Sequence, residues 1–318
     1  MLTVSETAAL LRSIDNELIL THVRPDGDTV GCAAALCAGL RALGKTAYLL
    51  PNPELTDTVG PYAAPYAAPE GFTPDKVVST DIAATGLFPE NAKPYIGRVD
   101  LAIDHHPSFE QFGRANIVRP EAAACAELLY DILAALGPIT PEMALPLYVG
   151  VSTDTGCFAY ANTTADTHAV AAALLRTGID YKTVNKVFFR TKSRKRMQLE
   201  GAMMNTCEFH DRNRVAILSV PRSMMERFQA TETDAEDLSA LGPQIEGVDC
   251  AVTMRELRPD VWTLSVRTGD RVNATEVCRV LGGGGHRAAA GATVEGTFDD
   301  VKARILSAIV RNVADFEM

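Results

Sequence analysis

In the first half of the chain, short apolar runs alternate with longer helix-like segments, and acids or histidines follow several of those runs at once. The runs are Leu18–Leu20, Ala47–Leu50, Val77-Val78, Val99–Ile103 and Ile117-Val118. Thr29–Leu43, rich in Ala, Leu and Cys and followed by Gly44 as a stop, reads as the first crossover helix. A proline-rich loop spans 51–75. Glu121–Leu136 and Asp166–Arg176 carry helical patterns, the latter with Thr164 as N-cap and Gly178 beyond its end, while Pro141–Ser152 reads as a helix from its Thr140-Pro141-Glu142 start although its apolar run LPLYVGV would also suit a strand. Alternation of this kind predicts an α/β fold, a mostly parallel sheet with helices on both faces. With both faces covered, a ligand reaches such a sheet only beyond its strand ends, and sites form at the carboxyl ends.

After Gly178 the texture changes. Residues 182–206 are polar and basic without a strand signal, which predicts a long linking helix. Val215–Val220, Asp249–Arg255 and Val261–Arg267 then read as strands, the last two forming a hairpin about Pro259-Asp260. A helix near Ala274–Leu281, a glycine run and a last helix from Asp299 complete a smaller α+β unit. The expected division is therefore 1–181, a linker over 182–206, and 207–318. A chain of 318 residues accommodates two domains.

Charge narrows the function. The net charge is −10, and residues 1–188 carry nearly all of it, with 12 basic against 21 acidic side chains. Non-specific binding of long nucleic acid needs a strongly basic surface, so any nucleic-acid partner is short or held locally. The acidic half should attract cations. No run approaches the roughly 18 apolar residues of a membrane span, and the start shows no secretion signal. Seven scattered cysteines suit a reducing cytoplasm, and the Asn162-Thr163-Thr164 sequon then carries no meaning.

Four groups end apolar runs in acids or histidines: His22-x-x-x-Asp26-x-Asp28, Asp81, Asp104-His105-His106, and Asp154. Singly, each has an ordinary structural explanation, such as a helix cap at Asp28 or a turn at Asp154. Four together at strand or helix ends do not. Carboxylates with a few imidazoles and no thiolate suit Mn²⁺ or Mg²⁺. Six or so ligands are enough for two ions bridged by carboxylates, a pair that activates water and stabilises charge on a phosphoryl oxygen.

Other motifs fail on context. Gly39 to Thr46 matches the phosphate-loop pattern letter for letter, but the helix precedes it and the strand follows. Gly150-Val151-Ser152-Thr153-Asp154 lacks the second glycine of a nucleophile elbow. Cys32 and Cys37 lie inside an Ala-rich helix and read as small buried residues. By contrast, Gly282-Gly283-Gly284-Gly285-His286-Arg287 can expose backbone N–H groups in an anion-binding concavity, with the basic pair at its edge. Arg267 and Asn273 lie just upstream. The cluster from Arg190 to Arg196 reads as a solvated helix face.

Together these residues resemble the DHH phosphoesterase family, over nearly the whole chain. His22–Asp28, Asp81, the Asp104-His105-His106 triplet and Asp154 are similar to its four motifs, and GGGGHRAAAG is similar to the signature of its DHH-associated domain. Length and layout most resemble the cytoplasmic oligoribonuclease and pAp phosphatase group. The resemblance implies two Mn²⁺ ions, with Mg²⁺ or Co²⁺ as substitutes, held by His22, Asp26, Asp28, Asp81, His105 and Asp154. It implies shared ligands at Asp81 and Asp154. Asp104, His105 and His106 would form the catalytic triplet, Asp104 orienting and His106 either touching the phosphate or standing behind the metal ligands. Arg267, Asn273, Gly283, Gly284, Gly285, His286 and Arg287 would hold the substrate, with the small domain closing over it. It further implies hydrolysis of very short RNA and of pAp to nucleoside monophosphates, and a homodimer. The rival readings are a phosphodiesterase of linear or cyclic dinucleotides, a single-stranded DNA exonuclease, and a non-catalytic nucleotide- or RNA-binding module.

Overall fold

The computed structural model describes residues 1–313 and Phe316, and they fall into two compact units, Met1–Thr191 and Lys192–Met318. In the first unit β1 (Glu17–Leu20), β2 (Ala47–Leu49), β3 (Lys76–Thr80), β4 (Leu101–Asp104) and β5 (Ala115–Val118) form one parallel sheet in the order β2-β1-β3-β4-β5. Its helices are α1 (Val4–Ser13), α2 (Gly27–Ala42), the short α3 (Gly60–Ala63), α4 (Cys125–Leu136), α5 (Pro141–Asp154), α6 (Ala165–Arg176) and α7 (Tyr181–Phe189). Alternation along β1 sorts the packing. Ile19 joins the apolar cluster built with α2, α4 and α5, while Leu18 and Leu20 join a second one around Phe88. Both faces are thus buried, as the sequence predicts.

Local chemistry sets the element ends. Thr164 and Thr167 close a capping box at the start of α6, as expected at Thr164. Thr3 and Glu6 make another at α1, a helix that the apolar pattern did not reveal. Gly44 sits at φ +78 just past α2, which is the role of a stop and not of a phosphate loop. Pro141–Asp154 is a helix throughout. The expected helix from Glu121 starts only at Cys125, because Ala124 is extended, at φ −149 and ψ 150.

The single linking helix expected over 182–206 is two helices. α7 ends at Phe189, and Ser193 caps α8 (Arg194–Met204) by accepting from the Arg196 N–H. The rest of the second unit comprises β6 (Glu208–His210), β7 (Val215–Val220), α9 (Arg222–Phe228), β8 (Cys250–Arg258), β9 (Val261–Thr268), α10 (Ala274–Val280), β10 (Gly284–His286), β11 (Ala289–Glu295) and α11 (Phe298–Val310). Its sheet runs β10-β11-β9-β8-β7-β6, antiparallel except for β7 beside β8. One face packs Val252, Leu264, Val266 and Val294 on residues of α10 and α11.

The glycine run is more ordered than an open concavity. Gly282 makes the turn at φ +80, and Gly284–His286 then pair with β11 as an edge strand. A Cβ on Gly283 would stand 2.1 Å from the Gly291 carbonyl oxygen. These glycines therefore act mainly as clearance for a close backbone approach.

Candidate metal centre

The carboxyl ends of β1, β3 and β4 bring three of the four motifs to one place, and the last turn of α5 brings the fourth. Asp26 is the N-cap of α2, its carboxylate accepting from the Asp28 and Thr29 N–H groups. Asp28 lies in the first turn of α2 and is fully buried. Its two oxygens accept from the Cys125 N–H at 2.6 Å and the Ala126 N–H at 3.0 Å. Ala124 has no side chain that can cap α4, so Asp28 caps that helix from across the core. Asp81 follows β3 at φ +58, a left-handed turn that an Asp tolerates.

The imidazoles are fixed by backbone carbonyls. His22 Nδ1 lies 2.7 Å from the Val23 oxygen, and His105 Nδ1 lies 3.1 Å from that of Ala122. Each Nδ1–H donates there, which leaves Nε2 facing the acids. His22 Nε2 stands 3.6 Å from Asp26 Oδ1 and 3.8 Å from Asp81 Oδ2. His105 Nε2 stands 3.5 Å from both Asp81 Oδ1 and Asp154 Oδ2, and 4.0 Å from Asp28 Oδ2. Two separate clusters result, His22–Asp26–Asp81 and Asp28–His105–Asp154, and Asp81, His105 and His106 form a third grouping that overlaps both. Asp81 faces both, with one oxygen toward each, whereas Asp154 belongs to one only. His106 stands beside them, its Nδ1 and backbone N–H both donating to Asp104 Oδ1 at 2.9 and 2.6 Å.

Electrostatics say what this geometry lacks. Burial, with Asp28 and Asp26 nearby, pushes Asp154 up to about 10. Burial and the Asp28 charge hold Asp81 well above the carboxylate range, and burial raises Asp28 as well. Asp26 goes the other way: burial is outweighed by His22 and the α2 N–H groups, so it is lowered. His22 is raised, because the Asp26 bond outweighs its burial. Asp81 Oδ1, itself buried, has no hydrogen-bond partner among the described residues. Asp154 also sits at the negative end of its helix. Carboxylates held so close need added positive charge to ionise together. Oxygen and imidazole donors in two adjoining sets fit divalent ions. Cys32 faces Asp28 as a thiol donor at 3.5 Å, and burial raises it well above the usual thiol range.

One residue that the sequence reading passed over shapes this centre. A Cβ on Gly150 would stand 2.6 Å from Asp28 Oδ1 and 2.7 Å from Ala126 Cβ. The signal was present in the rejected elbow motif, whose glycine serves helix approach instead of a nucleophile. The residues expected to hold substrate gather separately, in the second unit. Asn273 caps α10, the Ala274 N–H donates to the Arg287 carbonyl, and Arg287 donates to the Asp270 carbonyl at 2.8 Å. Arg267 and His286 both stand opposite Ala289, so they share a sheet face.

A profile described as the DHH family, N-terminal domain, matches residues 16–151. The bifunctional oligoribonuclease and PAP phosphatase NrnA of Thermus thermophilus is 33% identical over 95% of this chain and 92% of its own length. An exopolyphosphatase-related protein from Bacteroides fragilis superposes with a TM-score of 0.85 at 22% identity, over 97% of this chain and 95% of that one. RecJ of Thermus thermophilus, solved in complex with Mn²⁺, superposes at 0.56 and 16% identity, over 97% of this chain and 55% of that one.

Proposed function

This chain belongs to the DHH family, and from that premise we propose that it is a divalent-metal phosphoesterase that degrades very short oligoribonucleotides and dephosphorylates pAp. The observation that carries the reading is the pair of three-residue clusters at the carboxyl end of the parallel sheet, with Asp81 belonging to one and facing His105 of the other. His22 and Asp26 would hold one Mn²⁺, Asp28, His105 and Asp154 the other, and Asp81 would serve both. Mg²⁺ or Co²⁺ would substitute. Bound there, the ions lower the pKa of a water and offset charge on phosphoryl oxygens.

The chain's own groups do the rest. Val23 and Ala122 carbonyls fix the tautomers of His22 and His105, so the centre keeps its donors aimed without reorganisation. Asp104 orients His106 through two bonds and raises its pKa, so that the protonated ring can donate from Nε2 to a phosphate oxygen or the leaving group. Residues 1–181 would be the catalytic part and 207–318 the substrate-binding part. Seven free cysteines and the absence, among the described residues, of any helix long and apolar enough to cross a membrane support a cytoplasmic setting.

The test is a timed assay on metal-stripped protein restored with Mn²⁺, comparing pAp, a diribonucleotide, a five-nucleotide RNA and long single-stranded DNA. Rapid loss of the first three with slow attack on the DNA is expected. Preference for DNA would make the chain an exonuclease of another class, and no hydrolysis of any would move it to a binding module.

A further inference from the structure

The three residues of the Asp28–His105–Asp154 cluster come from different elements, yet one short segment reaches all of them. It is residues 122–126, the extended approach to α4 and the start of its first turn. The Ala122 carbonyl accepts from His105 Nδ1, and the Cys125 and Ala126 N–H groups donate to Asp28. Asp154 is tied to the same segment through a side chain. Asn162 Nδ2 lies 3.1 Å from the Ala123 carbonyl oxygen and 3.1 Å from the backbone carbonyl oxygen of Asp154. An amide nitrogen carries two hydrogens, one for each acceptor. Asp154 ends α5, so its carbonyl is among those a helix leaves without an internal partner. The other cluster takes its fixing bonds elsewhere. His22 donates to the Val23 carbonyl, Asp26 accepts from the α2 N–H groups, and the Asp81 N–H donates to the Ile103 carbonyl.

Bringing Asn162 back to Asp154 requires a sharp reversal of the chain. Gly156, Cys157 and Phe158 follow α5 at φ +56, +57 and +67, three left-handed residues in a row. Glycine adopts that conformation freely, whereas a bulky residue such as Phe holds it only where its surroundings impose it. Here they do. Phe158 packs against the apolar cluster of the first unit and stacks on His168, and its N–H donates to Thr155 Oγ1 at 3.1 Å. Gly156 leaves room for the Tyr160 ring, which a Cβ would meet at 2.4 Å. The sequence marks Asn162 only as the start of a sequon. In the fold both of its amide hydrogens go to the backbone around the centre.

We infer that Asn162 is a positioning residue for this one cluster, tying Asp154 to the segment that already fixes Asp28 and His105, so that the three donors keep one spacing. The inference rests on the two-ion reading of the centre. Its test is Mn²⁺ binding by the metal-stripped full chain without substrate, followed by equilibrium dialysis and electron paramagnetic resonance. Asn162→Leu keeps the shape of the side chain and removes both donors. The Kd of one Mn²⁺ should rise about 10-fold or more, the usual effect of losing a hydrogen-bond partner behind a metal ligand, while the other changes less than about 2-fold. With both sites loaded, the unaltered chain should give the signal of a spin-coupled pair. Under the same loading Asn162→Leu should give that of an isolated ion, as Asp154→Ala does. Thr3→Ala, which uncaps α1, is the control for a merely structural loss: it should lower the melting temperature without separating the two affinities. Should Asn162→Leu not fold by circular dichroism, the smaller Asn162→Ala takes its place. Unchanged binding of both ions by the folded variant overturns the inference, and so does equal weakening of both. Failure of the two-ion reading would show differently, as fewer than two ions on the unaltered chain, and would overturn the inference with it.

Discussion

The two sheets of this protein put their chemistry in different places. The parallel sheet of the first unit is buried on both faces, and its candidate centre lies wholly beyond strand ends. The mixed sheet of the second unit is covered on one face and half of the other, and its polar groups lie on the open part of that face. Strand ends bring loops from distant sequence to one point, which suits a compact cluster of like charges. An open face spreads donors at fixed intervals, which suits an extended ligand. On the proposed reading the arrangement is a division of labour in which one sheet would react and the other would hold the substrate.

That division breaks most visibly at the strand ends. Asp81→Ala and Asp154→Ala should each lower kcat by roughly 1,000-fold or more, since losing an ion removes several kcal/mol of transition-state stabilisation. Steady-state assays in Mn²⁺ with matched circular dichroism check this, and full activity in both folded variants would sink the ligand assignment.

A smaller effect of another kind is expected on the sheet face. Arg267→Ala should raise KM about 10- to 100-fold for short RNA, through loss of a charged hydrogen bond. A comparable fall in kcat would erase the contrast between the sheets.

The smallest effect concerns pH. Folded, Asp154 keeps its proton to about pH 10, whereas unfolded it releases it near 4. The metal-free folded chain therefore binds more protons across that window, and its stability falls as pH rises. Glu17, buried at the amino end of the same sheet and raised by burial to about 7, adds a slope of the same sign at lower pH. Melting in EDTA from pH 7.5 to 9.5 reads Asp154 together with Asp81 and the buried cysteines, all raised and all adding slope of the same sign. The melting temperature should drop by roughly 2–4 °C per kcal/mol, and Asp154→Asn or added Mn²⁺ should make the trend shallower than in the unaltered metal-free chain. A flat or rising profile for the unaltered chain would contradict the crowding of acids described above.

These two regions were also unequally legible in the sequence. Residues at strand ends announce themselves, because a run such as Leu101–Ile103 is followed directly by Asp104, His105 and His106. The centre was readable for that reason. The sheet face was not, because Thr253, Thr263 and Ser265 meet only through registers that no local pattern encodes. β11 escaped notice because Ala and Gly have little intrinsic strand preference, and pairing with β9 and β10 overrides this. The break between α7 and α8 was hidden by an unbroken polar texture, although Ser193 carries the capping signal. Gly150 was visible but was tested against one motif only.

Asp28 has a consequence for how descendants of such a fold should be judged. Its carboxylate closes the open end of α4 as well as facing His105. A lineage that abandoned catalysis would be free to lose His105 or Asp154, yet would still be penalised for losing Asp28, because a helix would come uncapped in the core. Retention of that aspartate in a distant sequence is therefore evidence of inherited architecture, and the silent loss of its neighbours is the mark of a retired enzyme.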